Sequence, residues 1–148
     1  MKVHHITVTA YSSREAAAGL RETLKGILPA DTPIEENVIE PETEGAVFTK
    51  EMVELSSRLT KNAQMREFAS KVLGGLDDYD KRNLRERLSD RVDEECNLYL
   101  RLSKAEAAAG RMVVEYKDPV HVTFKLAAYP ANRENALKSA SELLDEMF

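Results

Sequence analysis

Six basic side chains in the middle of the sequence have the residue types and spacing to bind a phosphate-rich partner. They form two groups, one spaced for a single helical surface and one spread around a strand and a short helix: Lys81, Arg82 and Arg85, and Arg101, Lys104 and Arg111. Lysine neutralises phosphates as a point charge, and the guanidinium of arginine can hold two phosphate oxygens at once. Tyr99 lies on the same predicted strand face as Arg101, where its ring could stack on a base or a ribose, or could pack within a second covered face of the sheet. These residues therefore predict a surface for a polyanion.

The second group is positioned by the tract LYLRLSKAEAAAG, residues 98–110. Its leucines alternate with polar residues, as in a strand with one buried face. Ser103 and Glu106 then form a Ser-x-x-Glu capping box, alanines favour a short helix, and Gly110 ends it. We therefore expect these cations near one edge of a rigid strand–helix unit.

The charge of the chain is unevenly distributed. The net charge is −5 at pH 7, which by itself opposes a polyanionic partner. Residues 1–57 carry a balance of −5, residues 58–111 a balance of +2, and residues 112–148 a balance of −2. The central segment can form a local basic patch, or it can be an ordinary salt-bridged helical surface.

Hydrophobic periodicity and capping signals define elements in the first half of the chain. In order, they are a strand at 2–10, a helix from a capping box of Ser12 and Glu15 to Pro29, a loop at 29–45 with a short strand near Val38 and Ile39, and a strand or bent pair of strands at 46–59.

The second half contributes three helices around the strand–helix unit and a hairpin. The predicted elements are a helix at 61–73 that ends at Gly74 and Gly75, a helix capped by Asp77 or Asp78, a hairpin of strands at 112–117 and 120–126, and a last helix that begins at Pro130 and Asn132. Strands and helices do not alternate regularly along the chain. The pattern therefore favours an α+β fold, a mostly antiparallel sheet covered by helices, in a single domain over residues 1–148.

Catalytic and metal-binding patterns are weak. The sequence contains no GxxxxGK[ST], GxGxxG or GxSxG motif. His4 and His5 are adjacent on a predicted strand, so they point to opposite faces and cannot chelate one ion. The acidic group at 93–95 lacks the spacing of a calcium loop. We therefore expect a binding domain without catalysis, metal or cofactor.

The cellular compartment is indicated by the single cysteine and by hydropathy. Cys96 has no partner for an internal disulfide and lies in phase with the buried leucines of its strand, so we expect a packed, reduced thiol. The N-terminus lacks the apolar core of a signal peptide, and no apolar run reaches the length of a membrane span. These features predict a soluble, cytoplasmic protein with no membrane contact.

Three segments resemble an archaeal family of small RNA-binding proteins described as predicted exosome subunits. They are VHHITVTAYSSREAAAGLRETLKGILP, LYLRLSKAEAAAG, and VHVTFKLAAYP followed by NRENAL. The resemblance implies an α+β fold similar to a ribosomal protein that binds ribosomal RNA, and a role in RNA processing or ribosome biogenesis without catalysis. It also implies that Lys104, which matches the lysine of the family's turn after the strand, contacts RNA. Exosome or ribosomal components are its implied partners.

The leading hypothesis is a non-catalytic protein whose six cations engage the backbone of structured or double-stranded RNA. Such RNA is recognised mainly through shape, phosphates and 2′-hydroxyls, so no base-specific motif is required. The alternative is a protein-interaction or oligomerisation module, including a homodimer, that uses exposed Leu143 and Phe148 on the last helix. An enzyme of unknown class is the third hypothesis.

Overall fold

The computed structural model describes residues 1–41 and 50–148, which form five strands and six helices. In chain order these are β1 (Val3–Ser12), α1 (Ala17–Ile27), β2 (Glu35–Ile39), β3 (Met52–Leu59), α2 (Asn62–Gly74), α3 (Asp78–Glu86), α4 (Leu88–Arg91), β4 (Asn97–Leu102), α5 (Lys104–Ala108), β5 (Val120–Leu126) and α6 (Arg133–Met147). The predicted strand at 46–59 is present from Met52 onward, and its first four residues lie outside the described part of the chain.

The strands form one antiparallel sheet in the order β2-β3-β1-β5-β4, which confirms the predicted α+β class. Side chains alternate between buried and half-exposed along β5, and a similar alternation runs along β1 and β4. An antiparallel sheet can pack one face on a core and leave the other face in water. The buried face and the helices share one hydrophobic core, and we call the opposite, polar side of the sheet the open face.

The helices form because their apolar residues recur at helical spacing. In α2, which corresponds to the predicted helix at 61–73, Met65, Phe68, Ala69 and Val72 are all at most 1% exposed and form one buried stripe. Asp77 caps α3, since its carboxylate accepts the N–H of Asp80 at 2.7 Å.

The predicted helix after Asp77 breaks at Arg87, which separates α3 from the four-residue α4. Leu84, Leu88 and Val92 nevertheless all lie in the core, as the sequence indicates. The break places α4 against β4 and α6.

The predicted capping box of α1 is wrong. Ser12 belongs to β1 and pairs with Val53 of β3, so it keeps an extended backbone. The Ser13 hydroxyl instead accepts the N–H of Ala16 at 3.3 Å. The helix α1 begins at Ala17, and no side chain caps it. Strand pairing therefore delays the start of this helix.

The predicted hairpin of 112–117 with 120–126 is also wrong, because β5 pairs with β1 and β4. The residues after α5 instead run beside β4, where Val113 accepts the N–H of Ser103 at 2.8 Å and Glu115 donates to the carbonyl of Arg101 at 3.1 Å. Gly110, at φ 82°, turns the chain in this direction. Tyr116 therefore lies near Arg101 rather than in a regular strand.

The last helix begins where the sequence predicts. The side chain of Asn132 accepts the N–H of Asn135 at 2.8 Å and caps α6. Leu143 is only 1% exposed, so its predicted place in an exposed seam is wrong. The buried side of α6 consists of Ala136, Ser139, Ala140, Leu143 and Leu144.

None of the helices in the described residues has both the length and the hydrophobicity of a membrane-spanning segment.

Two glycines provide a matched test of the turn that brings Tyr116 to β4. Gly110→Ala should lower the free energy of unfolding by about 1–2 kcal/mol, because a Cβ is unfavourable at its positive φ. Gly19 lies inside α1, where an added Cβ would meet no other atom, so Gly19→Ala should raise the free energy by about 0.5–1 kcal/mol. Urea denaturation measures both values, and a Gly110→Ala protein as stable as the wild type would contradict the role of this turn.

Candidate nucleic-acid interface

The structure distributes the six predicted cations over three places. Lys81 and Arg85 both lie over the ring of Phe148, with the ammonium 5.7 Å and the guanidinium 5.4 Å from its centroid. Arg85 also pairs with Asp145 at 3.0 Å. Arg82 is exposed on the same helix. The first group therefore shares one helix, and two of its members pack on the end of α6.

Lys104 and Arg111 bind groups of the protein itself. The Lys104 ammonium donates to the backbone carbonyl of Tyr11 and to the carboxylate of Asp118 at 2.9 Å, and its side chain is only 22% exposed. Arg111 pairs with Glu106 at 2.5 Å on the surface. Ser103 caps α5, accepting the N–H of Glu106 at 3.2 Å, but the predicted capping box is only half formed, because the Glu106 carboxylate binds Arg111 and the Ser103 N–H donates to Val113.

Arg101 lies in a different setting, a cleft at the β4 edge of the sheet. We call it the tyrosine–arginine cleft, and it is lined by Arg87, Asp90, Arg91, Tyr99, Arg101 and Tyr116. Its volume is about 270 Å³. The helix α4 and its N-cap residue Arg87 form one side of the cleft, and β4 forms its floor. Tyr116 lies in the segment after α5 and completes the lining.

Tyr99 is held in the cleft by the tight turn before β4. The carboxylate of Asp93 accepts the Tyr99 hydroxyl at 2.5 Å and the backbone N–H groups of Glu95 and Asn97 at 2.9 Å each. Cys96 is buried, as predicted, and takes the positive φ of 66° that the turn requires. One carboxylate therefore fixes both the turn and the orientation of the ring.

The pKa of Asp93 reflects this arrangement. Burial by itself raises the pKa, but the hydrogen bonds from Tyr99, Asn97 and Glu95 outweigh burial and lower it below the usual value of an aspartate. The pKa of Tyr99 is raised, mainly by the same hydrogen bond to Asp93. Both shifts favour the ionised carboxylate and the protonated phenol.

Tyr116 is held by arginines. Arg91 donates to its hydroxyl, and the guanidinium carbons of Arg91 and Arg101 lie 5.0 Å and 6.0 Å from its ring centroid. Cations at this distance are attracted by the electron-rich ring. The residue is nevertheless 57% exposed, so much of its surface remains open to a ligand.

The cleft carries more positive than negative charge. It contains three guanidinium groups and one carboxylate, and that carboxylate, Asp90, pairs with Arg87 at 3.3 Å. Among the ion pairs of residues 1–41 and 50–148, none includes Arg91 or Arg101. An excess of guanidinium groups favours an anionic ligand.

The helix α4, which forms one side of the cleft, packs against α6. Arg133 donates to the carbonyl of Ser89 at 2.5 Å and to that of Val92 at 3.2 Å. These carbonyls lie within and just after α4, where a helix lacks internal donors. The guanidinium therefore stabilises the short helix that carries Arg91.

The open face continues from the cleft across the sheet. The register places Tyr99 beside Thr123, Thr123 beside Thr7, and Thr7 beside Arg58 in one cross-strand row. Three strand spacings of about 4.8 Å give this row a length of about 14 Å. It forms a polar surface of half-exposed threonines that ends in a cation.

Two histidines on this face report its electrostatics. Burial, then Arg58 and Lys125, lower the pKa of His5, whose Nδ1 lies 3.1 Å from the Arg58 guanidinium. Burial, then Arg101 and Lys104, lower the pKa of His121, although Asp118 acts in the opposite direction. The cationic neighbours disfavour a further positive charge.

The sequence indicated Arg101 and Tyr99 but missed the rest of the cleft. Arg87 and Arg91 are not among the six predicted cations, and Tyr116 belongs to the predicted strand at 112–117. Their approach depends on the helix break at Arg87 and on the turn at Gly110, which neither periodicity nor motif spacing predicts. Among the described residues, no group of three or more His, Cys, Asp or Glu side chains is arranged to hold a metal ion.

Comparison with known proteins gives the family. A family model described as RNA binding matches residues 5–126. The chain belongs to this RNA-binding family. An RNA-binding protein of Pyrococcus abyssi is 27% identical over 150 residues, which cover 98% of this chain and 96% of that protein. Together, the two findings confirm the predicted resemblance to an archaeal RNA-binding family.

Solved structures show how widely the fold of this RNA-binding family is shared. A DUF54 protein of Methanothermobacter thermautotrophicus has a TM-score of 0.76 and 28% identity, covering 97% of this chain and 99% of that one. A protein of Archaeoglobus fulgidus from the same DUF54 family has a TM-score of 0.83 and 24% identity, covering 96% of this chain and 99% of that one. The second likeness concerns the fold alone.

Replacing Asp93 should destabilise the turn that positions Tyr99. Asp93→Asn is expected to lower the free energy of unfolding by about 1.5–3 kcal/mol at pH 7, because the hydrogen bonds to a charged carboxylate are lost. The carboxylate has a lowered folded-state pKa, so its contribution is present above about pH 3.9 and disappears as the pH falls through the folded-state value. Urea denaturation at pH 7, 5 and 3.5 should show the difference between wild type and variant shrinking only at the lowest pH.

Asp90→Asn is the matched control, because Asp90 forms an exposed pair with Arg87. It should cost less than about 1 kcal/mol at any pH. Equal losses for the two variants would show that the Asp93 carboxylate does not hold the turn.

Proposed function

We propose that this chain is a non-catalytic, cytoplasmic RNA-binding protein that contacts the backbone of structured RNA. The contact surface is the tyrosine–arginine cleft together with the adjoining open face. One observation supports this assignment most. Three arginines surround two partly exposed tyrosine rings at the edge of the polar face of the sheet. The buried free thiol of Cys96 fits a reducing compartment.

The local charge of this surface explains how an acidic protein would hold a polyanion. Arg91 and Arg101 meet on one ring, and Arg58 and Lys125 extend the positive charge over the open face. At physiological ionic strength charges are screened beyond about 8 Å, so an RNA backbone on this face would interact chiefly with the charges of the face itself, which also include Glu54 and Asp118. The acidic residues elsewhere in the chain would contribute little.

The other predicted cations take secondary places in this proposal. Lys81, Arg82 and Arg85 lie on α3, the helix that immediately precedes α4, and would contact RNA that extends beyond the cleft. Lys104 and Arg111 are engaged with Asp118 and Glu106, so they would add to the field of the surface rather than hold a phosphate directly.

The biological setting in the proposal is RNA processing or ribosome biogenesis, with exosome or ribosomal components as partners. It follows from the family resemblance, which extends over most of the chain. Purification of the tagged protein from its own cells, followed by sequencing of the bound RNA and mass spectrometry of bound proteins, tests it. Recovery of neither processing substrates nor ribosomal RNA would reject this setting and leave RNA binding itself to the measurements below.

Removing the two arginines on Tyr116 should weaken binding of a structured RNA hairpin and reduce its salt dependence. Each phosphate contact on a duplex contributes about 0.9 to the slope of log affinity against log salt. Arg91→Gln/Arg101→Gln should therefore lower the slope by about 1.8 if each guanidinium holds one phosphate. Fluorescence anisotropy of a labelled hairpin over a salt series measures the slope.

A control with the same loss of charge is Lys25→Gln/Arg66→Gln, since both residues lie on exposed sides of the helical layer. Its slope should stay close to that of the wild type. A Lys81→Gln/Arg82→Gln protein tests the predicted α3 group in the same assay. A flat salt dependence of the wild type would reject binding to the RNA backbone.

Affinity for RNA should rise as the pH falls below about 6.5, the usual pKa of histidine. His5 and His121 have lowered pKa values in the free protein, and a phosphate close to either ring would raise that pKa. Binding would then take up protons, with about tenfold in affinity for each unit by which binding raises a pKa. Affinities between pH 7.5 and 5.5 should increase for the wild type and change less for His5→Gln/His121→Gln; identical pH profiles would place the RNA elsewhere.

A further inference from the structure

We infer that the tyrosine–arginine cleft binds one unpaired nucleotide of the RNA, with its base on the tyrosine rings and its phosphate on the arginines. This inference rests on the proposed RNA-binding function and adds the kind of RNA that the site selects. A duplex alone would satisfy the cations of the surface. The bases of a duplex are paired and stacked on each other, so they cannot stack on the two tyrosine rings.

The two tyrosines keep exposed surface although their hydroxyls are already hydrogen-bonded. The hydroxyl of Tyr99 donates to Asp93, and the hydroxyl of Tyr116 accepts from Arg91. The polar end of each side chain is therefore occupied, while 38% of Tyr99 and 57% of Tyr116 remain exposed. Rings fixed in this way lose little conformational entropy when a base stacks on them.

Stacking requires a base that has left its helix. In A-form RNA the bases are stacked on each other, and a protein reaches mainly phosphates and 2′-hydroxyls. Unpaired bases of loops, bulges and ends can stack on tyrosine rings or on guanidinium planes. The cleft offers both kinds of surface next to each other, because the guanidinium groups of Arg91 and Arg101 both lie within 6.0 Å of the Tyr116 ring centroid.

The size and charge of the cleft fit a single nucleotide. A volume of about 270 Å³, bounded by α4 on one side, has room for one base and its sugar. Its excess of guanidinium groups supplies the partner for the phosphate of the same nucleotide. The surface around it is also suited to the rest of the strand, since the row from Tyr99 to Arg58 leads away from the cleft over polar side chains.

The test compares a blunt RNA duplex with the same duplex carrying a short single-stranded 3′ extension of adenosines. Binding of the fluorescein-labelled RNAs to the full chain is followed by anisotropy at fixed salt. Stacking of one base contributes about 5- to 150-fold in affinity. The extended duplex should bind tighter by a factor in this range, and Tyr116→Leu should bring its affinity down to that of the blunt duplex.

Two further variants separate the ring from other effects. Tyr116→Phe keeps the ring and loses the hydroxyl, so it should retain most of the preference for the extended duplex. Tyr129→Leu is the matched control, because Tyr129 is 97% exposed and lies in a groove with Lys2 and Lys138, away from the cleft. It should bind both RNAs like the wild type. Circular dichroism and thermal unfolding establish that each variant is folded.

A direct readout uses the extended duplex with 4-thiouridine in the single-stranded part. After irradiation, mass spectrometry should locate the crosslink at Tyr99, Tyr116 or their neighbours in the cleft. Crosslinks confined to other parts of the chain would overturn the inference.

The outcomes distinguish this inference from the function on which it rests. Tight binding of both RNAs with equal affinity, unchanged by Tyr116→Leu, would overturn the unpaired-nucleotide site and leave binding to the RNA backbone intact. Failure of both RNAs to bind even at low salt would overturn both. Selective loss of the extended duplex in Tyr116→Leu, with the blunt duplex unaffected, supports the site.

Discussion

Burial of only one face of the antiparallel sheet is the constraint on which the rest of the molecule depends. Each strand places alternate side chains on opposite faces, so the residues that pack against the helices fix the position of every residue on the other side. In β5 the buried residues Val122 and Phe124 determine that His121, Thr123 and Lys125 face outward. The positions of the residues on the polar surface are therefore fixed by the packing of the core.

The charge distribution shows why net charge is a poor guide to the partner of this protein. Exposed ion pairs such as Arg111 with Glu106 neutralise much of the surface locally. Arg91 and Arg101 instead lie against an aromatic ring, which attracts them without cancelling their charge. A small region can thus remain strongly positive in a chain whose formal charge is −5.

The parts of the fold that the sequence predicts are those with a local physical cause. The stripe of α2 follows from helical spacing, the strand–helix unit at 97–108 from alternation and the cap at Ser103, and the start of α6 from the cap at Asn132. The errors arise where a distant partner decides. Ser12 pairs with Val53 instead of capping a helix, and the residues after Gly110 join the edge of β4 instead of β5.

The candidate site follows the same rule. Tyr99 and Arg101 are two residues apart on one strand, so their shared face can be predicted from the sequence. Arg91 and Tyr116 are 25 residues apart, and they meet only because a helix breaks and a loop turns back. The alternating pattern at 112–117 predicts only that Tyr116 lies in a strand. Its contacts depend on the pairing of this segment with β4, which the pattern does not reveal.

The hydrogen bonds from Arg133 to the carbonyls of Ser89 and Val92 connect the start of α6 to the side of the tyrosine–arginine cleft that α4 forms. The guanidinium belongs to the helical layer, yet it binds the backbone of the segment that carries Arg91 on the far side. The position of Arg91 in the cleft therefore depends on how α6 packs as well as on β4.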